Sequence, residues 1–295
     1  MVTADLVVQQ LINGLFFGGQ LALLSVGLTL IWGVARVLNF AHGGVFMLGG
    51  YLGLYAIGLT GSWLAGIAAA VIGTFLLGVG IESVLVNRLR GRREFDFAAI
   101  IVTLGLWIVM EQTMRLVAGS AQRSVDPILT DVWVVEAASV TVVVSGQRLL
   151  IFAISVTAIG ALFAVIRYTK FGLSVRAATE SDDVTQLMGV NLTRVYAATF
   201  GVSTALAGLA GILLVPIFSV YPSVGNRPFL LAFIVVMIGG LGSVRGTLVA
   251  AILLALIRSL STIWLSTQGA TIVLFAFMIA VLLVSPEGLG RWLQS

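Results

Sequence analysis

Long apolar runs separated by short polar breaks dominate the pattern of this chain. The hydrocarbon core of a bilayer is about 30 Å thick, and a helix needs about 20 apolar residues to cross it. Such runs predict eight membrane-spanning helices, near residues 6–33, 43–60, 62–86, 97–119, 149–166, 196–220, 247–265 and 270–285. We therefore expect an all-α fold, a polytopic transmembrane helical bundle of eight or nine spans, as a single domain over residues 1–295.

A ninth apolar run, residues 229–241, leaves the number of crossings open, since it has only 13 residues and ends in the sequence GGLGS at 239–243. It either crosses as a short helix or enters and leaves by the same face. Broken backbone at membrane depth is tolerated only where protein or a water-filled cavity surrounds it.

Composition supports the membrane assignment. Charged residues make up 9% of the chain and hydrophobic residues 59%, whereas an average soluble domain carries about 25% charged residues. This balance excludes a soluble enzyme, a nucleic-acid binder and a disordered scaffold. With no cysteine and one histidine, His42, the chain also excludes disulfides, thiolate metal sites and multi-histidine sites, and we expect no cofactor and no bound metal.

The distribution of basic residues predicts the orientation, because cytoplasmic loops are enriched in Lys and Arg. With the N-terminus outside and nine crossings, eleven of the sixteen basic residues lie inside. They are Arg36, Arg88, Arg90, Arg92, Arg93, Arg167, Lys170, Arg176, Arg194, Arg245 and Arg291. With a re-entrant ninth run the count is ten against six, so the rule does not choose between eight crossings and nine.

Two long loops follow from this orientation. Residues 120–147 form an external loop in which two β-branched runs, at 132–135 and 140–144, precede Ser145 and Gly146. That pattern predicts a small external hairpin or strand pair that caps the mouth of the bundle. The other loop, residues 168–195, lies inside.

The inside loop carries the pattern of a short amphipathic helix. Thr179 is a candidate N-cap ahead of the acidic residues Glu180, Asp182 and Asp183. An apolar stripe at i, i+3, i+4 and a glycine that would stop the helix then follow: Val184, Leu187, Met188 and Gly189. The helix either lies on the bilayer like any loop helix or docks into a groove of a cytoplasmic partner.

Two polar breaks between spans are candidates for a translocation path or its gate. In the first, Asn39 and His42 share one face if the turn is helical, and Gly43 allows close packing. The alternative is a histidine with a purely structural hydrogen bond. The second break comprises Gly239, Gly240, Gly242 and Ser243, and such breaks either mark the substrate path of a transporter or simply form tight turns.

Ionisable residues inside the predicted spans are few. Glu82 can reach the basic cluster at 88–93, and Glu111 can pair with Arg115 at i, i+4. These residues do not form the chain of membrane carboxylates that a proton- or sodium-driven carrier uses.

Several motifs, in order along nearly the whole chain, resemble the permeases of branched-chain amino acid ABC importers, in particular the shorter of their two paralogous permeases. The motifs are GLTLIWG at 27–33, VLNFAHG at 37–43, TLG at 103–105, TKFG at 169–172 with RAA at 176–178, LMG at 187–189, AGLAG at 207–211, GGLGS at 239–243 and PEGL at 286–289.

The resemblance implies a multi-pass permease subunit in a bacterial inner membrane, which is not itself an enzyme. Its expected partners are cytoplasmic ATP-binding subunits, a second permease subunit in a homo- or heterodimer, a periplasmic solute-binding protein and the lipid bilayer, with no nucleic acid. The ATPase would grip the 168–195 loop through Arg176, Ala177, Ala178, Glu180, Asp183, Leu187 and Gly189. Here RAA replaces the Glu-Ala-Ala of other ABC importers, which leaves the register of docking open.

The resemblance implies branched-chain amino acids as the solute, delivered by the binding protein. Permeases for urea and short-chain amides share nearly the same pattern and remain an alternative. From outside this family, the alternatives are a stand-alone secondary carrier or channel and a membrane scaffold that transports nothing.

Overall fold

The computed structural model describes residues 3–137, 140–285 and 288. The predicted motif positions 286, 287 and 289, and the predicted inside residue Arg291, lie outside the described residues. The described elements are α1 (Ala4–Ala35), α2 (His42–Thr60), α3 (Trp63–Gly80), α4 (Phe95–Ala118), β1 (Val132–Ala137), β2 (Val140–Ser145), α5 (Gly146–Tyr168), α6 (Lys170–Glu180), α7 (Asp182–Leu187), α8 (Leu192–Phe218), α9 (Asn226–Gly239), α10 (Val244–Ser261) and α11 (Thr267–Val284). A π-helical turn, Ile81–Val86, continues α3.

The prediction of a polytopic helical bundle is confirmed. Among the described residues, eight helices are long and apolar enough to cross a membrane: α1, α2, α3 with its π-helical turn, α4, α5, α8, α10 and α11. Helices are required there because water is absent from the bilayer core and every backbone polar group must be satisfied within the segment. α4 and α11 expose most of their apolar side chains, as lipid-facing helices do.

α1 is the central helix of the bundle. It packs against α10, α8, α5 and α9, and 89% of its most apolar window is buried. Small residues bring the helices close together: at Gly18, a Cβ atom would meet the α10 backbone at Ile252 at 3.3 Å, and Gly49 of α2 packs directly on Gly208 of α8. Such contacts favour association of helices in a membrane, where hydrophobic burial provides no driving force.

α1 and α10 are antiparallel, and this defines the two ends of the bundle. Gly14 lies against Leu256 and Ser259, whereas Gly33 lies against Gly242, just before α10 begins. We call the end at which α1 starts the hairpin end and the end at which α1 stops the basic end. Ten basic residues follow or flank the helix termini at the basic end: Arg36, Arg88, Arg90, Arg92, Arg93, Arg167, Lys170, Arg176, Arg194 and Arg245.

The ninth apolar run completes a crossing. Before it, Val220 pairs with Arg123, whose guanidinium donates to the carbonyl of Ala118 at the hairpin end. After it, Gly239 packs on Thr247 near the basic end. α9 has 14 residues and is about 21 Å long at 1.5 Å per residue, so the non-helical residues 219–225 cover the remaining depth. The chain therefore traverses the bundle nine times, and the alternative of a re-entrant run is wrong.

The predicted strand pair is confirmed as an antiparallel hairpin, with Val132 opposite Ser145 and Ala137 opposite Val140. Side chains of α1 hold its second strand at the hairpin end. The backbone N–H of Thr141 donates to the Asp5 carboxylate at 3.1 Å, and that of Val143 donates to the Gln9 side chain at 2.8 Å. The hairpin is thus fixed to the start of the central helix.

Candidate functional site

The first polar break forms a tight turn that carries the chain back into the bundle. Arg36 adopts a left-handed conformation, φ 55°, and its backbone N–H caps α1 on the carbonyl of Trp32. The side-chain oxygen of Asn39 accepts from the N–H of Ala41 at 3.1 Å, and α2 begins at His42. The condition for Asn39 and His42 to share a helical face is not met, because Asn39 shapes the turn ahead of the helix.

His42 reaches the middle of α1. Its Nε2 lies 3.1 Å from the carbonyl oxygen of Leu24, and its side chain is fully buried, as is that of Asn39. Among the described residues, His42 Nδ1 and Asn39 Nδ2 are buried without a hydrogen-bond partner. Buried polar groups normally find partners, so this pair is an unusual feature of the bundle interior.

The start of α9 packs directly on this turn. A Cβ atom on Gly225 would overlap the carbonyl oxygen of Gly43, so the two backbones are in direct contact. Around this contact, Phe229 lies 5.5 Å from Phe40 and 5.0 Å from Trp107, measured between ring centroids. The aromatic cluster holds the short helix against the first polar break.

The second polar break turns the chain from α9 into α10. Gly240 and Gly242 have positive φ angles of 90° and 85°, which favour glycine. Ser243 caps α10 by accepting from the N–H of Gly246 at 3.2 Å, and Gly239 packs on the α10 backbone. The predicted path residues thus form two groups at opposite ends of α9: Asn39, His42 and Gly43 at its start, and Gly239, Gly240, Gly242 and Ser243 at its end.

Two adjoining cavities open along one face of α1 in the half of the bundle towards the hairpin end. The outer cavity, of about 210 Å³, reaches Gln10 and Asn13, and the inner one, of about 170 Å³, reaches Leu24. They share Phe17, Gln20, Phe218 and Arg258. The inner cavity ends at the residue whose carbonyl contacts His42.

Sequence reasoning did not single out these cavities or their arginines. Arg258 lies within the apolar run at 247–265, and an ionisable residue inside a span is a functional candidate. That signal was present in the sequence, but the neighbours of Arg258 come from α1, α8 and α9, and only the folded chain brings them together.

The loop predicted for docking contains two helices instead of one. Thr179 is not an N-cap, because it lies inside α6 and its hydroxyl donates to the carbonyl of Val175 at 2.8 Å. Glu180 ends α6 instead of opening the next helix. Ser181, in extended conformation, caps α7 by accepting from the N–H of Val184, and Gly189 has a φ of 81° beyond its end.

The seven predicted docking residues differ in their contacts and in their exposure to solvent. Arg176 donates to the carbonyl of Ile166 in the last turn of α5, while Ala177 is half-buried and Ala178 faces the bundle with 5% exposed. The other four are exposed: Glu180, Asp183, Leu187 and Gly189.

α7 presents an apolar edge to solvent at the basic end. Val184, Leu187 and Met188 are 56%, 87% and 77% exposed, whereas Thr185 on the opposite side is buried. We call these three residues the α7 edge. An exposed apolar patch beside charged residues is typical of a surface for a protein partner.

A buried ion pair lies beneath α7. Arg90 donates to Oε1 of Glu82 from Nε at 3.2 Å and from a terminal nitrogen at 3.0 Å, which confirms the predicted partner cluster of Glu82. The guanidinium of Arg90 also lies 3.8 Å from the ring centre of Tyr196 on α8. A cavity of about 430 Å³ is lined by Arg90 and Tyr196 of this cluster and by Asp182 and Gln186 of α7.

This architecture defines a class of protein, the multi-pass helical membrane protein with a short helix in its interior. The family model described as "Branched-chain amino acid transport system / permease component" matches residues 10–282, and the chain belongs to this family.

The relatives agree with the family. The chain is 32% identical to the high-affinity branched-chain amino acid transport system permease protein LivH of Escherichia coli strain K12, over 96% of this chain and 95% of the relative. The same figures hold for the permease protein BraD of Pseudomonas aeruginosa. A probable permease LivH of Methanocaldococcus jannaschii is 25% identical over 98% and 94% of the two chains. No solved structure gave a significant match.

Proposed function

We propose that this chain is the inner-membrane permease subunit of an ATP-driven importer of branched-chain amino acids. A periplasmic binding protein delivers the solute at the hairpin end, a second permease subunit completes the path, and cytoplasmic ATP-binding subunits hydrolyse ATP. The relatives named LivH and BraD are branched-chain amino acid transport permeases by name, and we extend that substrate class to this chain.

The observation that carries the proposal is the α7 edge. The six residues of α7 and its C-cap Met188 expose three apolar side chains on one side, and packing against the described residues does not explain this exposure. The α7 edge lies at the end of the bundle with ten of the sixteen basic residues, which the positive-inside rule assigns to the cytoplasm. The same rule places the N-terminus outside. An apolar helix edge on that side suits the groove of a cytoplasmic ATPase.

The path is proposed to run along α1 and past α9. The cavities at the hairpin end stop at Leu24, and below them lie the two polar breaks at either end of α9. Glycine hinges at both ends would let α9 move against α1 when the ATPases close, so we propose the breaks as the gate.

Gentle affinity purification of the tagged chain from its native host, followed by mass spectrometry, tests the proposal. We expect an ATPase with nucleotide-binding motifs and a second apolar permease at matching stoichiometry. Leu187→Ser should release the ATPase, whereas Leu59→Ser is the matched control, because Leu59 is also 87% exposed but lies at the hairpin end. A stable homo-oligomer without an ATPase would refute the proposal and favour a secondary carrier.

A further inference from the structure

The two cavities along α1 form a basic, acid-free site. Among the described residues, three arginines line them, Arg148 in the outer cavity, Arg227 in the inner cavity and Arg258 in both, and no Asp or Glu does. Of the two ion pairs found within the described residues, Arg90 with Glu82 and Arg115 with Glu111, neither involves these arginines. Positive charge in a membrane interior is costly and is normally paired.

Of the three arginines, Arg258 most clearly lacks a hydrogen-bond partner. It lies in the last turn of α10, a helix long and apolar enough to cross a membrane, and its Nε is buried without a hydrogen-bond partner among the described residues. Its guanidinium lies 4.6 Å from the ring centre of Phe17, and this cation–π contact does not satisfy the N–H of Nε. A guanidinium in this state is complementary to a planar anion that accepts from two nitrogens at once.

The rest of the inner cavity is apolar. Beyond the two arginines it is lined mainly by aliphatic and aromatic side chains, among them Leu21, Leu24, Phe46, Leu214 and Leu231. Gln20, Ser219 and Tyr221 supply neutral polar groups. Ligand sites commonly have this composition, in which an apolar wall binds the body of a ligand and a few polar groups fix its orientation.

We propose that the inner cavity is a binding site in which Arg258, supported by Arg227, holds the carboxylate of a small aliphatic amino acid while the branched side chain packs towards Leu24 and Leu231. The site rests on the proposed function for its substrate class. The ammonium group of the ligand meets only neutral acceptors there, so the site recognises the carboxylate and the side chain and tolerates loss of the amine.

The same chemistry, an anion attached to an apolar body, also describes a phospholipid headgroup and its acyl chains. The cavity volume of about 170 Å³ favours the smaller ligand. We therefore design the binding experiment with one arm for each source.

Binding of radiolabelled leucine is measured by equilibrium dialysis on the purified full chain in phosphatidylcholine nanodiscs. We expect 4-methylpentanoate, which keeps the carboxylate, to compete, and leucinamide, which lacks it, not to compete. Arg258→Gln should weaken leucine binding about tenfold or more, because it removes a charge-assisted hydrogen-bond pair. Arg115→Gln is the control, since Arg115 lies on α4, is 41% exposed and lines neither cavity.

Competition by leucinamide equal to that by 4-methylpentanoate, or unchanged binding in Arg258→Gln, would overturn the proposal. In the lipid arm, phosphatidylglycerol is added to the nanodiscs. Binding of this lipid that Arg258→Gln abolishes, together with no binding of leucine to the wild type in phosphatidylcholine alone, would assign the site to a headgroup phosphate and also overturn it. The assay uses neither ATP nor partner subunits, so its failure is distinguishable from failure of the ATPase to co-purify.

Discussion

Gly225 and Gly43 touch backbone to backbone, so the start of the short helix α9 rests on the first turn of α2 with no side chain between them. This contact joins the two polar breaks into one structure. The chain enters from the hairpin end through a turn at residues 222–225, becomes helical at Asn226, beside Gly43, and leaves at the glycines before α10. A path gated at α9 would therefore depend on how closely these two backbones approach.

Replacing Gly225 with alanine should destabilise the bundle. The added Cβ would overlap the carbonyl of Gly43, and overpacking of a tight contact typically costs about 1–3 kcal/mol. We expect a lower midpoint in an SDS titration of the purified protein followed by far-UV circular dichroism. Gly58→Ala is the control, because a Cβ atom there would have no described residue within 4 Å outside its own helical turn. Equal midpoints for the two variants would contradict the contact.

Glu82→Ala should lower the free energy of unfolding far more than Glu111→Ala, although each variant removes the acid from an ion pair with an arginine. Glu82 is 0% exposed and would leave Arg90 without its acid, whereas Glu111 and Arg115 are 16% and 41% exposed. Breaking a buried pair costs about 3–5 kcal/mol, whereas an exposed i, i+4 pair contributes about 0.5 kcal/mol or less.

The same SDS titration measures the unfolding midpoints of Glu82→Ala and Glu111→Ala. A loss of similar size in the two would show that the Glu82 site is open to water. Glu82→Gln keeps the shape of the side chain and separates the effect of charge from that of a cavity.

The spans, the hairpin and the Glu82 pair could be predicted from the sequence because each depends on local pattern. Apolar runs of bilayer length have one stable solution in lipid, and β-branched runs before Ser145 favour a hairpin. Glu82 and Arg90 are close in sequence, so the acid had a basic partner within reach whatever the rest of the fold.

The cap of α7 and the cavities could not be predicted in this way. Thr179 and Ser181 are both good N-cap residues. Ser181 is the N-cap of α7 because α6, which packs on the end of α5 through Gly172, continues past Thr179. The Arg258 site needs contacts between residues more than two hundred positions apart in sequence, such as Phe17 and Arg258. The crossing by α9 likewise depends on which helices it meets.

Gly189→Ala should impair coupling between ATP hydrolysis and uptake if α7 is the docking helix. Gly189 has a φ of 81°, and alanine in that conformation is strained by about 1 kcal/mol, so the end of the α7 edge would shift. Gly91→Ala is a closely matched control, because Gly91 has the same φ, open space around it and a place at the same end of the bundle. Uptake in proteoliposomes containing the whole complex, with the ATPase rate measured in parallel, checks the prediction. Equal coupling in both variants would remove Gly189 from the docking surface.

The hydrogen bond between the hydroxyls of Thr29 in α1 and Thr247 in α10 tests how these two helices are held together towards the basic end of the bundle. The two oxygens lie 2.7 Å apart in a fully buried site, and the hydroxyl of Thr247 donates to the carbonyl of Ser243 at 2.9 Å. Because that proton is already engaged, Thr29 must be the donor to Thr247. Thr247→Val should then lower the free energy of unfolding more than Thr29→Val, because it leaves the buried hydroxyl proton of Thr29 without an acceptor.

The double variant of Thr29 and Thr247 should cost no more than Thr247→Val alone, because removing both partners leaves no orphaned donor. A double-mutant cycle by SDS titration measures the coupling directly. Additive losses would mean that the two hydroxyls act independently, and α1 and α10 would then be held at this level by packing of their small residues alone.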